Sequence, residues 1–199
     1  HFIPQSAPVG QKISSAGVVS TYSLVHTTSG MTAGGVLAPN GDIVFCPFGA
    51  RVGQKIDKSG VVSTYSLVYT AVNAYDGGVL APNGDIHFVP FAANMGQKID
   101  INGVVSTYSL ALTVDQAYVG GVLSPNGDIH FIPRQGTGPT QGQKVDSSGI
   151  VSTYSLVYTG TNLYSKGILL PNGDIHFIPL SAAVGQKIST TACLPVSYT

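Results

Sequence analysis

The chain has 199 residues, nine basic and nine acidic side chains and a formal net charge of zero. Charged residues make up 9% of it, against roughly a quarter of an ordinary soluble protein. This composition offers no basic patch for nucleic acid and no cationic face for an anionic membrane, and no apolar run approaches the roughly 20 residues of a spanning helix.

The tract GQK recurs at Gly10, Gly53, Gly96, Gly142 and Gly185, in steps of 43, 43, 46 and 43 residues. A period in the low forties, with several short strands per unit, is that of β-propeller blades, in which each unit buries its faces on its neighbours. One domain spanning residues 1–199 follows. The chain opens on His1 in mid-repeat: HFIP is a second-strand motif, GQKI at Gly10–Ile13 a third strand and VVSTYSLV at Val18–Val25 a fourth.

Full units begin at Gly34 and Gly77, and the one at Gly77 shows the plan. Gly77–Pro82 is the most apolar run; its paired glycines allow close approach, which places it innermost. Pro82, Asn83, Gly84 and Asp85 form a tight turn, with Asn and Gly expected at positive φ. In the second strand, alternation sends Asp85, His87 and Val89 to one face and Ile86 and Phe88 to the other. The third strand, Gln97–Asp100, turns at Gly103 into a fourth, Val104–Ala111, whose hydroxyls suit an outer edge. The next unit, from Gly120, carries an insertion around Gly136 to Gln141 beside Arg134, and the last, from Gly167, ends near Leu194 to Thr199. No segment has helical periodicity.

The second-strand and GQK motifs occur five times and the inner-strand motif four times. The expectation is an all-β, five-bladed β-propeller of four-stranded antiparallel blades, the first lacking its innermost strand. That strand is missing because the chain is a piece of a longer one, because the first blade has three strands, or because a neighbouring molecule donates it.

GGVLAPNGDIHFVP at Gly77–Pro90 resembles the inner-strand, turn and second-strand segment of WD-repeat and NHL-type blades, with APNGD where those families often have SPDG. The chain has no Trp, so the terminal Trp-Asp pair of a WD repeat is absent. In blade number and repeat regularity it resembles the tachylectin type of five-bladed lectin. That resemblance implies sugar binding without supplying any matched residue.

Same-face Asp and His pairs (Asp85 with His87, Asp128 with His130, Asp174 with His176) could carry acid–base or metal chemistry. Val44 stands at the same position in another unit, which favours a hydrogen-bonded His fastening strands within a blade. No HxxxH, CxxC or calcium-loop pattern occurs, so no metal, cofactor or catalytic residue is expected, and the chain is read as not an enzyme. GGVLAPNG lacks the Lys and the helix of a phosphate loop. The five GQK lysines are read as solvated or paired with Asp57, Asp100 or Asp146. Cys46 is read as a small buried substitute, unbridged to Cys193.

The repeats differ most at 71–76, 114–119 and 161–166 and in the link after the second strand, segments that alternating strand direction places at one end of the ring. Tyr75, Tyr118 and Tyr164 offer rings for stacking, and Asn73, Asp76, Asp115, Gln116 and Asn162 offer polar groups for a polyhydroxylated ligand. The expected function is a secreted, lectin-like, multivalent module for a glycan or other repetitive ligand. The alternative is a scaffold that forms a homo-oligomer by strand exchange through its incomplete blade.

Overall fold

The computed structural model describes residues 1–134 and 141–190. They form five antiparallel sheets and contain no helix. The first sheet holds β1 (Val9–Ile13) and β2 (Val19–Ser23), with Phe2 bridged to Gln11 at the second-strand position. The second holds β3 (Thr32–Leu37), β4 (Ile43–Pro47), β5 (Val52–Ile56) and β6 (Val62–Ser66). The third holds β7 (Tyr75–Leu80), β8 (Ile86–Pro90), β9 (Met95–Ile99) and β10 (Val105–Ser109). The fourth holds β11 (Tyr118–Leu123), β12 (Ile129–Pro133), β13 (Gln141–Val145) and β14 (Val151–Ser155). The fifth holds β15 (Tyr164–Leu169), β16 (Asp174–Pro179) and β17 (Gln186–Ser189). The expected last strand at 194–199, Cys193 and most of the 136–141 insertion lie outside the described residues.

Each sheet meanders in chain order, and the innermost strands β3, β7, β11 and β15 pack side by side in series. The architecture is all-β and consistent with a β-propeller. Among the described residues the fifth sheet does not pack extensively on the first, in contrast to the closed ring expected from the repeat count.

Alternation builds the junctions between sheets. Val44 and Cys46 on one face of β4 meet Tyr75, Ile86, Phe88 and Ile99 of the next sheet in one buried cluster. Val79 and Val89 meet Tyr118, Ile129, Phe131 and Val145 in the same way, and Ile132 meets Tyr164, Ile175 and Phe177. The second inner-strand glycine makes this approach possible. A Cβ at Gly78 would lie 3.0 Å from Cys46 Sγ, one at Gly121 3.2 Å from Val89, and one at Gly167 2.4 Å from Ile132.

The GQK glutamine staples consecutive sheets. Gln97 Oε1 accepts from the backbone N–H of Val68 (2.9 Å) and of Tyr69 (2.8 Å), just past the outer strand of the preceding sheet. Gln54 does the same for Val25 and His26, Gln143 for Ala111 and Leu112, and Gln186 for Val157 and Tyr158. Truncating Gln97, itself buried, to Ala removes the acceptor of two amides at this junction. The expected loss is about 2–3 kcal/mol, measurable as a lower urea midpoint; a midpoint equal to the parent's would remove the staple from the account.

Two expectations change. In the turns, Gly84 is at φ 90° while Asn83 is not at positive φ. Gly84 N–H donates to Ala81 O and Ala81 N–H to Asp85 O, a three-residue hairpin loop closed by a left-handed glycine rather than a two-residue turn. Asn83 instead caps the turn, its Oδ1 accepting from Asp85 N–H at 3.1 Å. Four of the five GQK lysines pair with the turn aspartates of their own sheets and not with Asp57, Asp100 or Asp146: Lys55–Asp42 at 2.7 Å, Lys98–Asp85 at 2.6 Å, Lys144–Asp128 at 2.5 Å and Lys187–Asp174 at 2.6 Å. Asp57, Asp100 and Asp146 each accept two backbone N–H bonds in their own turns.

Candidate functional site

The variable loops gather at one end because each is tied to the link after the second strand of the preceding sheet. Ala74 N–H donates to Phe48 O, Ala117 N–H to Phe91 O and Leu163 N–H to Arg134 O, at 2.7–2.9 Å. Asn73, Gln116 and Asn162 occupy positive φ at 53°, 55° and 51° in these loops, so their backbone role in the bend is the first reason for their presence. Asn73 and Asn162 are exposed, Asp115 is exposed and Gln116 half-buried, and none of the four borders the axial cavity.

Tyr75, Tyr118 and Tyr164 do not present open rings. All three are fully buried core residues, each tilted against a phenylalanine of its own sheet: Phe88, Phe131 and Phe177. Tyr75 Oη donates to Met95 O at 3.0 Å. The residue that opens an inner strand points between two sheets, and an amphipathic ring there fills the junction instead of stacking on a ligand.

Asp76 is placed otherwise. Residues 33–34, 76–77 and 119–120 oppose single residues on β4, β8 and β12, giving a bulge in each inner strand. Gly34, Gly77 and Gly120 take φ of 81°, 90° and 69° there, which only glycine adopts without strain. Bulged backbone is withdrawn from the ladder, and these residues line a cavity of 470 Å³ on the axis. In the fifth sheet Lys166 stands at the glycine position, pairs with Ile178 and leaves Ser165 as the extra residue. Ile3 and Gln5 complete the wall.

The cavity is therefore backbone-rich and nearly uncharged apart from Asp76 and Lys166. Burial raises the Asp76 carboxyl above the ordinary carboxylate range, and the charges of Arg134 and Lys166 oppose that rise only in part. The Arg134 guanidinium lies 5.2 Å over the Phe91 ring. Sequence reasoning counted Asp76 as one of several loop polar groups and passed over Lys166. The available signal was the break in symmetry: Asp76 answers to Ala33, Val119 and Ser165 in the other units, and Lys166 to three glycines.

Two of the three same-face histidines are buried inside their blades, and His176 is exposed. His87 Nδ1 lies 3.2 Å from Tyr108 Oη, and His130 packs against Tyr154 with ring centroids 5.5 Å apart. Burial, with Lys98 or Lys144 adding to it, pushes both imidazoles down to about 4, against the opposing pull of Asp85 or Asp128. Buried Cys46 has its thiol pushed up to about 12, by burial first and Asp76 second. No group of three or more metal-ligating side chains occurs among the described residues.

No family model and no curated protein matches the chain. Solved structures do. Virginiamycin B lyase from Staphylococcus aureus superposes with a TM-score of 0.77 at 19% identity, over 94% of this chain and 61% of that one. A catalytically inactive variant of that lyase with quinupristin gives 0.74 at 17%, over 94% and 68%. A streptogramin B lyase gives 0.76 at 20%, over 94% and 63%. The chain thus spans about three-fifths of the first of these, and at such identity the likeness shows the fold alone. It corrects the expectation that the chain is not an enzyme: lyases occur among the proteins that share this fold, so similarity among blades is no ground for excluding catalysis.

Proposed function

We propose that the chain is a propeller-type ligand-binding protein whose site is the axial cavity at the loop-bearing end, and that its ligand is a small saccharide. The supporting observation is the cavity itself: 470 Å³, within the roughly 300–1,000 Å³ of small-ligand sites. Its wall is the bulged backbone of the inner strands, with a single carboxylate and a single ammonium. Backbone N–H and C=O groups at such bulges suit several hydroxyls at once, and Asp76 would accept from a pair of them. On this reading one lectin-like site sits on the axis, in place of repeated shallow sites stacked on tyrosines.

Asp76→Asn and Lys166→Gln keep the shape of the wall and alter its charge. Screened on a glycan array and titrated against any hit, the parent should bind selectively and each variant at least about tenfold more weakly, the worth of one charge-assisted hydrogen bond. Binding unchanged in both variants would move the site elsewhere.

The raised Asp76 carboxyl beside two cations favours a second reading, in which the same cavity performs proton transfer on its ligand. Incubation with array hits and with quinupristin, followed by mass spectrometry, tests it. Product formed by the parent and not by Asp76→Asn supports catalysis; unaltered compounds leave the binding role alone.

A further inference from the structure

At the loop-bearing end, the junction between the first and second sheets departs from the one that follows it. Backbone bonds set the correspondence: Gln54 Oε1 accepts from His26 N–H as Gln97 Oε1 does from Tyr69 N–H, and Thr32 pairs with Pro47 as Tyr75 does with Pro90. In the later junction the Tyr69 and Tyr75 rings meet edge to face with centroids 6.1 Å apart, and Tyr75 is fully buried. In the earlier one an imidazole and a threonine stand in their places. A cavity of 250 Å³ opens there, between the loop after β2 and the link from β4 to β5.

The wall of this cavity is polar and cationic. Thr28 and Ser29 line it where the next unit has Ala71 and Val72, and Arg51 lines it where the next unit has Asn94. Arg51 takes part in no ion pair among the described residues, and no described acidic side chain borders the cavity. Gly49 N–H donates to Gly30 O at 3.0 Å, and a Cβ on Gly49 would lie 2.6 Å from that oxygen. The two loops are thus held at a close approach beside Ser29 on one and Arg51 on the other. A guanidinium offers a planar fork of N–H donors that matches an oxyanion, and hydroxyls and an imidazole N–H add further donors. Met31 and Val52 supply an apolar side.

We propose that this cavity binds the phosphate or sulfate group of a small monoester, with Arg51 gripping the oxyanion and His26, Thr28 and Ser29 donating to it. The volume is larger than a bare oxyanion needs and lies below the roughly 300–1,000 Å³ of sites for larger ligands, so the body carrying the group is of monosaccharide size. The cavity shares no lining residue with the axial one and does not rest on the reading of that site.

Glucose 6-phosphate and glucose 6-sulfate, with glucose as the uncharged control, test this by calorimetric titration in a buffer free of both oxyanions. The parent should bind at least one ester and not glucose, and the ester that binds identifies the source of the group. Arg51→Asn and His26→Tyr install side chains that the next junction already accommodates, so their thermal midpoints without ligand should match the parent's. Each should weaken ester binding at least about tenfold. Lys166→Gln, in the axial cavity, should leave it unchanged. Failure of both esters to bind, equal binding of glucose, or parent-like affinity in either Arg51→Asn or His26→Tyr overturns the proposal. So does loss of binding in Lys166→Gln, which means that the oxyanion sits on the axis.

Discussion

Gly96→Ala is expected to cost about 3 kcal/mol, at the upper end of what overpacking a dense core does, and to lower the thermal midpoint by roughly 6–12 °C for a chain of this size. Gly96 on β9 lies directly opposite Tyr108 on β10, and a Cβ there would fall 2.2 Å from the Tyr108 ring. Gly53 with Tyr65 and Gly142 with Tyr154 repeat the arrangement at 2.1 and 2.2 Å. The ring lies flat over the glycine, where it fills a gap that a side chain would otherwise occupy in a strand. Tyr108 also meets His87 and the apolar cluster below it, so it cannot retreat without opening that contact. In a double-mutant cycle, Gly96→Ala on a Tyr108→Ala background should cost little, giving a coupling of at least about 2 kcal/mol between the two positions. Additive effects would mean that the ring is not what forbids the methyl group.

The second large effect is loss of stability in mild acid. His87 and His130 are buried neutral, with folded-state values of about 4, whereas an unfolded histidine titrates near 6.5. The unfolded chain therefore binds two protons that the folded chain refuses. Their contribution is complete above about pH 6.5 and is lost progressively as the pH falls toward 4, at up to roughly 3 kcal/mol for each ring. Urea unfolding at neutral pH and at steps down to pH 4.5 should show a steep decline. The double variant His87→Val and His130→Val should flatten it, since Val44 already fills this position in the second sheet. An equal decline in parent and variant would assign the acid sensitivity to other groups. Asp174 belongs to a lower window. Hydrogen bonds from Lys187 and Ser189 hold it at about 2, so its contribution is intact above the ordinary carboxylate value near 4 and disappears only below it.

Several features were legible because they are local. The low-forties period fixed the unit, and alternation in DIHFVP correctly put Asp85, His87 and Val89 on one face and Ile86 and Phe88 on the other, each packing on a different neighbouring sheet. The histidine as a hydrogen-bonded fastener was legible in part: His87 meets Tyr108 Oη, whereas both ring nitrogens of His130 are buried without a hydrogen-bond partner and His176 is exposed. Turn type was half legible: PNGD marks a hairpin, but whether Asn or only Gly takes positive φ depends on the number of residues in the loop.

Contacts between segments far apart in the chain were not legible. Lys98 reaches Asp85 on the neighbouring strand and not Asp100, because the Asp100 carboxylate is taken up by two amides of its own turn while strand pairing sets Lys98 beside His87, on the face that also carries Asp85. Gln97 reaches Tyr69, 28 residues earlier, through the packing of separate sheets. Tyr75, Tyr118 and Tyr164 were read as ligand platforms from their place before an inner strand. Sequence position gives the end of the sheet where a residue stands, and not whether its ring turns to solvent or into the junction.

The repeat unit, its short strands, the inward position of the glycine-rich strand and the gathering of variable loops at one end are all written locally, because hydrophobic period and turn chemistry act over a few residues. Only the assembled sheets show that the tyrosines are core and that Asp76 and Lys166 share one axial cavity. Each of these depends on how separate sheets approach one another, and that approach is set by packing across the axis, about which neighbours in the chain carry no information.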